Sequence, residues 1–111
     1  MERDNVSGYV GGWFIGNFMP TMLATQDFEV CIKRYSTGDR EPLHHQLLAT
    51  EFTLVISGRC RIGSYVLGPD DVLRIDPLEA ADFEALTDVV LVAIKTPSIP
   101  SDKRLGDPDG Q

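Results

Sequence analysis

The chain has 111 residues, which is enough for one globular domain and too few for two. Its 42% hydrophobic and 24% charged residues are near the averages of soluble domains and exclude a disordered, collagen-like or coiled-coil chain. Seventeen acids against ten bases give a formal net charge of −7, which repels nucleic-acid phosphates and anionic membrane surfaces. We expect one domain with its own core that binds neither nucleic acid nor membrane.

The N-terminus and the apolar runs bear on where the protein resides. Residues 1 to 5 include two acids and lack the basic region and apolar stretch of a secretory signal. The longest apolar run, residues 89 to 94, falls far short of the roughly 20 residues that cross a bilayer. We therefore expect a cytoplasmic protein. Two cysteines cannot form a disulfide framework, so we expect Cys31 and Cys60 to be free thiols within strands.

An aromatic arm precedes the first regular strand pattern. Residues 9 to 19 are unusually aromatic and contain Trp13, the only tryptophan. In a strand, Trp13 and Ile15 share one face and Phe14 lies on the other, so both faces need cover. The arm could pack over its own barrel as an extra strand, or against a second subunit. We expect a homodimer, because one barrel wall covers only one face.

Apolar and polar residues alternate through most of the chain, and no window has a sustained helical period. In residues 28 to 35, Phe28, Val30 and Ile32 share one side, which is typical of a half-buried strand. Residues on either side of Gly58 predict a hairpin. The other predicted strands cover residues 64 to 67, 72 to 75, 83 to 86 and, as a β-branched central strand, 88 to 95.

Many short strands at turn spacings of about 8 to 12 residues predict an all-β sandwich or barrel. We place this single domain over the whole chain, with its barrel at about residues 9 to 96. Residues 97 to 111 contain three prolines and few large apolar residues, which indicates a surface strap or a frayed tail.

A spaced motif begins at Gly38. Its pattern is glycine, five residues, histidine, one residue, a second ligand position, four residues, glutamate, six residues and glycine. Gly38, His44, Glu51 and Gly58 meet this spacing. The segment resembles the first motif of the cupin family, in which a second histidine stands where this chain has Gln46.

Residues 70 to 81 resemble the second cupin motif. Asp70 and Leu78 replace its glycines, and Ala81 stands where the last metal-binding histidine belongs. The residues on register are Asp71, Ile75 and Pro77. The resemblance extends over about residues 12 to 104, to small stand-alone cupins that often accompany sugar-nucleotide and surface-polysaccharide genes. It implies a single antiparallel β barrel, the jelly roll or double-stranded β-helix.

The motif resemblance also bears on cofactors. Metal-binding cupins use three imidazoles and one carboxylate, and here only His44 and Glu51 remain as good ligands. Gln46 offers a neutral amide oxygen, which suits hard cations better, and Ala81 offers nothing. Losing direct ligands lowers metal affinity strongly, so we expect no tightly bound transition metal and no other cofactor. If a divalent metal is bound, His44, Gln46 and Glu51 would hold it.

His44 and Glu51 have two interpretations. They could form a proton-transfer pair, as in the metal-free sugar-nucleotide epimerases of the cupin superfamily, or they could be an inherited polar core. In a strand His44 and Gln46 point to the same side and His45 to the other. If both His44 and Glu51 face the barrel, each is the natural partner of the other.

Three further residues are candidates for ligand binding. Arg34 and Tyr35 end a strand near the site, and Arg34 could hold an anion with two hydrogen bonds. Asp82 could turn into the barrel mouth. The competing interpretation of Arg34 and Asp82 is a solvated charge at a strand end.

Two classes of function are consistent with these residues. The first is a binding protein whose barrel holds a polar small molecule, such as a sugar or a nucleotide sugar. The alternative is an enzyme, either metal-dependent or a metal-free isomerase in which His44 and Glu51 move a proton.

Overall fold

Segments in which apolar and polar residues alternate form strands in the computed structural model, which describes residues 1–110 and has eleven strands there. Two three-residue 3₁₀ turns, Val6–Gly8 and Val10–Gly12, precede them. The strands are β1 (Trp13–Gly16), β2 (Leu23–Ala24), β3 (Glu29–Tyr35), β4 (Arg40–Gln46), β5 (Thr50–Ser57), β6 (Cys60–Ile62), β7 (Tyr65–Leu67), β8 (Val72–Ile75), β9 (Ala81–Ala85), β10 (Val89–Thr96) and β11 (Lys103–Leu105).

The strands form two sheets. The first has six strands in the order β2-β1-β3-β10-β5-β8, and the second has five in the order β11-β4-β9-β6-β7. All the strand pairs are antiparallel except β1 with β2. The predicted all-β class is confirmed, and β10 is central, as its β-branched residues predict. No helix within residues 1–110 is long and apolar enough to cross a membrane.

The core lies between the sheets and is built from inward-facing positions of both. Val55 and Val89 are fully buried, as are the two cysteines. Burial raises the pKa of the Cys31 thiol to about 12. Both thiols are free, and both belong to the hydrophobic core, in agreement with the prediction.

The predicted hairpin at Gly58 is wrong. Strand β5 pairs with β10 and β8 in the first sheet, whereas β6 pairs with β7 and β9 in the second. The chain therefore crosses between sheets at Gly58, which has a φ of 81°. A Cβ atom there would lie 1.9 Å from the carbonyl oxygen of Asp88, so this close approach requires glycine.

The second motif keeps the positive φ angles typical of glycine at the two positions where other residues replace its glycines. Asp70 and Leu78 both have positive φ, at 73° and 71°. Residues with a Cβ rarely adopt this conformation, which glycine adopts freely. The surrounding turns therefore impose the glycine-type backbone on two other residues.

The aromatic arm joins its own barrel as an extra strand. Strand β1 pairs with β3 and places Trp13 opposite Cys31. Apolar side chains around it remain in solvent, since Val10, Met19 and Leu23 are 75%, 82% and 53% exposed. The arm is thus paired along one edge and still apolar on its surface.

The C-terminal segment is attached to the second sheet. Strand β11 pairs with β4. The Asp102 carboxylate is buried and accepts hydrogen bonds from the backbone N–H groups of Leu48 and Ala49 at 3.0 to 3.2 Å. These bonds connect the segment to the loop between β4 and β5.

The exposed apolar surface of the arm leads us to predict a homodimer. At micromolar concentration, light scattering should give about twice the chain mass. Leu23→Lys should shift the protein to monomer, because a charge would be buried in the interface. Val72→Lys, on the strand at the opposite edge of the same sheet and equally exposed, is the matched control and should remain dimeric. An intact chain that stays monomeric at high concentration would contradict the prediction.

Candidate functional site

A cavity of about 430 Å³ lies between the sheets and is lined by side chains from both. Three strands of the first sheet present charged groups to it. In the register of the sheet, Lys95 on β10 lies between Glu29 on β3 and Glu51 on β5. Further along β10 the inward Ala93 and Leu91 are apolar, and Leu91 lies between Lys33 on β3 and the buried Val55 on β5. The inward face of this sheet therefore carries charged and apolar side chains side by side.

Strand β4 supplies the histidine from the opposite sheet. His44 pairs in register with Ala81, and both line the cavity. Its Nδ1 lies 3.0 Å from the carbonyl oxygen of Pro42. A carbonyl only accepts, so Nδ1 carries the proton and Nε2 is the acceptor of the neutral ring. His45 is turned to the C-terminal segment, where its Nδ1 donates to the carbonyl of Gly106 at 2.8 Å.

Gln46 is the most unusual polar residue of the site. It lines the cavity and is only 4% exposed. Neither Oε1 nor Nε2 of its amide has a hydrogen-bond partner within residues 1–110. A buried polar group without a partner costs about 1–3 kcal/mol, and buried amides are normally paired. The cavity wall therefore carries an unpaired donor and an unpaired acceptor.

His44 and Glu51 do not form the direct pair that was one of their two interpretations from the sequence. Both line the cavity, but no hydrogen bond or ion pair joins them in the part of the chain that the structure describes. The two residues lie on strands of opposite sheets, β4 and β5.

Tyr35 reaches the cavity and has a partner that the sequence analysis missed. Its hydroxyl donates to Glu41 Oε2 at 2.9 Å, and its ring packs on Phe83 with centroids 4.4 Å apart. Burial, with the adjacent Glu41 carboxylate, raises the pKa of Tyr35 well above its usual range. The hydroxyl therefore stays protonated and serves as a donor.

The structure places the two other candidates differently. Arg34 is exposed and does not line the cavity, because it alternates with the inward Lys33 and Tyr35 on β3. Asp82 lies at the cavity edge and is held by Arg61 through two hydrogen bonds of 2.9 and 3.1 Å. Those hydrogen bonds lower the pKa of Asp82, so it is an ionised carboxylate already engaged with a protein cation.

Sequence reasoning missed three cavity residues that lie together. The ammonium groups of Lys33 and Lys95 are 5.8 and 5.0 Å from the centroid of the Trp13 ring. The alternation on β3 contained a signal, since Lys33 shares its face with Cys31. The residues on the other face of β3 are apolar, and they suggest that their own face is the buried one. The sequence pattern therefore predicts that the face carrying Lys33 is exposed.

The donor set does not fit the metal that the cupin motif implies. Within residues 1–110 no group of three or more His, Cys, Asp or Glu side chains is placed to hold a metal ion. Ala81 lies in register with His44 on the adjacent strand, at the position where the motif has a further imidazole, and its methyl side chain cannot bind a metal.

No protein-family model and no curated protein matches the chain significantly. Solved structures do match. A Klebsiella pneumoniae protein with a double-stranded β-helix domain is 18% identical, with a TM-score of 0.66 over 78% of this chain and 80% of its own. The DMSP lyase DddQ of Ruegeria pomeroyi is 15% identical, with a TM-score of 0.71 over 89% of this chain and 52% of its own.

A third match is a bacterial pirin from Escherichia coli in complex with nickel, 16% identical with a TM-score of 0.66 over 78% of this chain and 39% of its own. RmlC-like cupins are also among the matched structures. At these identities the similarity shows the fold alone. The two facing sheets, the spacing of the first motif and these neighbours together show that the chain has the cupin fold, a double-stranded β-helix.

Proposed function

We propose that this protein binds a polar, sugar-like small molecule in the cavity between its sheets. The observation that carries the proposal is the amide of Gln46, which is buried at the cavity wall with both polar atoms unpaired. A ligand with hydroxyl groups can both donate to Oε1 and accept from Nε2, which neutral apolar ligands cannot do. Binding would satisfy an amide that the fold leaves unsatisfied.

The size and lining of the cavity support the same proposal. Small-molecule sites are commonly about 300–1,000 Å³ and combine apolar walls with a few placed polar groups. This cavity is in the lower part of that range and is lined by aromatic, charged and amide side chains. A sugar, or the sugar portion of a nucleotide sugar, fits that combination.

Replacing Gln46 tests whether its amide serves a ligand or the fold. Gln46→Met keeps the shape and removes both unpaired atoms, so we expect the free energy of unfolding to rise by about 1–3 kcal/mol. Chemical denaturation measures the change. Gln26→Met, at an exposed glutamine outside the cavity, is the control and should change stability little. A marked loss of stability in Gln46→Met would mean that the amide is structural.

The same variant tests binding. Millimolar D-glucose, D-glucuronate or UDP-glucose should raise the melting temperature of the wild-type protein, since a ligand that binds the native state stabilises it. Gln46→Met should lose that increase although it is the more stable protein. If none of these probes stabilises the wild-type protein and Gln46→Met is also less stable, the proposal fails.

A second candidate function is proton transfer on the bound molecule. The observation in its favour is the orientation of His44, whose Nδ1–H is held by the Pro42 carbonyl so that Nε2 is a proton acceptor. Glu51 lies across the cavity on the other sheet, where it could return or remove a proton at the opposite face of the same ligand. This arrangement is the one an epimerase or isomerase would need.

Deuterium exchange separates binding from catalysis. We expect a bound sugar incubated in D₂O to be recovered without deuterium on carbon, as measured by NMR or mass spectrometry. An enzyme would exchange one carbon-bound hydrogen, and His44→Ala would abolish that exchange while leaving the Gln46-dependent binding. Exchange that depends on both His44 and Glu51 would replace the binding function by the catalytic one.

We also propose that binding does not depend on a transition metal, because Gln46 and Ala81 stand at imidazole positions. Adding both imidazoles, as Gln46→His with Ala81→His, should raise the affinity for Zn²⁺ or Ni²⁺ by well over tenfold in calorimetric titrations. His44→Ala in that double variant is the control and should remove most of the gain. Stoichiometric Zn, Fe, Ni or Mn in untagged wild-type protein after mild chelation would contradict this prediction.

A further inference from the structure

Two lysine side chains converge on a single aromatic ring inside the cavity. Lys95 Nζ lies 5.0 Å and Lys33 Nζ 5.8 Å from the centroid of Trp13. The three residues come from β10, β3 and β1, which are neighbouring strands of the first sheet. All three line the cavity. The first sheet thus places two positive charges and one aromatic ring at the same part of the wall.

Within the described residues 1–110, neither ammonium group forms an ion pair with a carboxylate. The ion pairs found within residues 1–110 all belong to arginines, namely Arg40, Arg61 and Arg74. Of the two acids beside Lys95 in the sheet, Glu29 accepts a hydrogen bond from the Ser98 hydroxyl at 2.9 Å. The other, Glu51, forms no ion pair in this part of the chain.

We propose that Lys33 and Lys95 bind the anionic group of the ligand, so that the ligand is a polyhydroxylated acid bearing one carboxylate or phosphate. This inference rests on the proposed function and adds the sign and place of the ligand's charge. Two like charges near one ring repel each other, and the ring offsets only part of that repulsion through cation–π attraction. An oxyanion bound beside the ammonium groups offsets this repulsion and accepts charge-assisted hydrogen bonds from them.

The rest of the cavity limits the ligand to one anionic end. Further carboxylates line the same space, among them Glu41, Glu51 and Glu79, and they repel a second negative charge but accept hydrogen bonds from hydroxyl groups. Gln46 offers both an acceptor and a donor on the opposite sheet. The Trp13 ring offers an apolar surface to the C–H groups of a sugar ring. A sugar acid or sugar phosphate satisfies all of these groups together.

The fluorescence of Trp13 reports directly on this site, because it is the only tryptophan of the chain. Acetate and inorganic phosphate, each compared with chloride at equal ionic strength, should change its emission saturably. D-glucuronate or D-glucose 6-phosphate should bind at least tenfold more tightly than D-glucose, from which each differs at one position. Which of the two acids binds more tightly distinguishes a carboxylate from a phosphate ligand.

Matched variants identify the residues responsible. Lys33→Met and Lys95→Met should each weaken binding of the preferred acid at least tenfold and leave binding of D-glucose nearly unchanged. Lys33→Arg and Lys95→Arg keep the charge and should retain most of the affinity. Arg34→Met removes the same charge from the same strand on the exposed face, and it should have no effect. Thermal unfolding establishes that each variant is folded.

Three results would overturn the inference. Equal binding of D-glucose and both acids would do so while leaving the proposed function intact. An equal loss of affinity in Arg34→Met would assign the effect to the overall charge rather than to the two lysines. The absence of a saturable response to every anion would also exclude the subsite, and the stability of Gln46→Met would then decide the proposed function separately.

Discussion

The two-residue period of the strands decides which side chains enter the space between the sheets, and the core and the cavity both depend on it. On β3, β5 and β10 the inward positions are in register and form rows across the sheet. One row joins Lys33 to Leu91 and the buried Val55. Another row joins Glu29, Lys95 and Glu51 at the cavity. Small inward residues such as Ala81 leave room there that larger side chains would fill, because protein interiors are otherwise close-packed.

Asp102 and Gln46 are both buried polar side chains, but they differ in hydrogen bonding within the described part of the chain. Asp102 accepts hydrogen bonds from the backbone of the β4–β5 loop, so its charge is satisfied within the protein and holds the C-terminal segment. Gln46, at the end of β4, has no such partners. This contrast supports the proposal that the Gln46 amide serves a ligand, because buried amides are normally paired.

Much of the fold could be predicted because its signals are local. Alternation placed the strands at β3, β8 and β10, and turn residues placed their ends. The motif spacing placed His44 and Glu51 at the same cavity, since positions on a barrel strand follow from counting residues. Pairing was less predictable. The crossing at Gly58 has the local pattern of a hairpin, and only contacts with distant strands distinguish the two.

The sequence by itself determined the all-β class and most of the strand positions, because periodicity and turns are properties of short segments. Only the tertiary structure decided that Trp13, Lys33 and Lys95 share one wall of the cavity. They lie far apart in the chain and on three different strands. The order of those strands in the sheet depends on long-range pairing, and the free energy of that pairing comes from burying a common core rather than from any one segment.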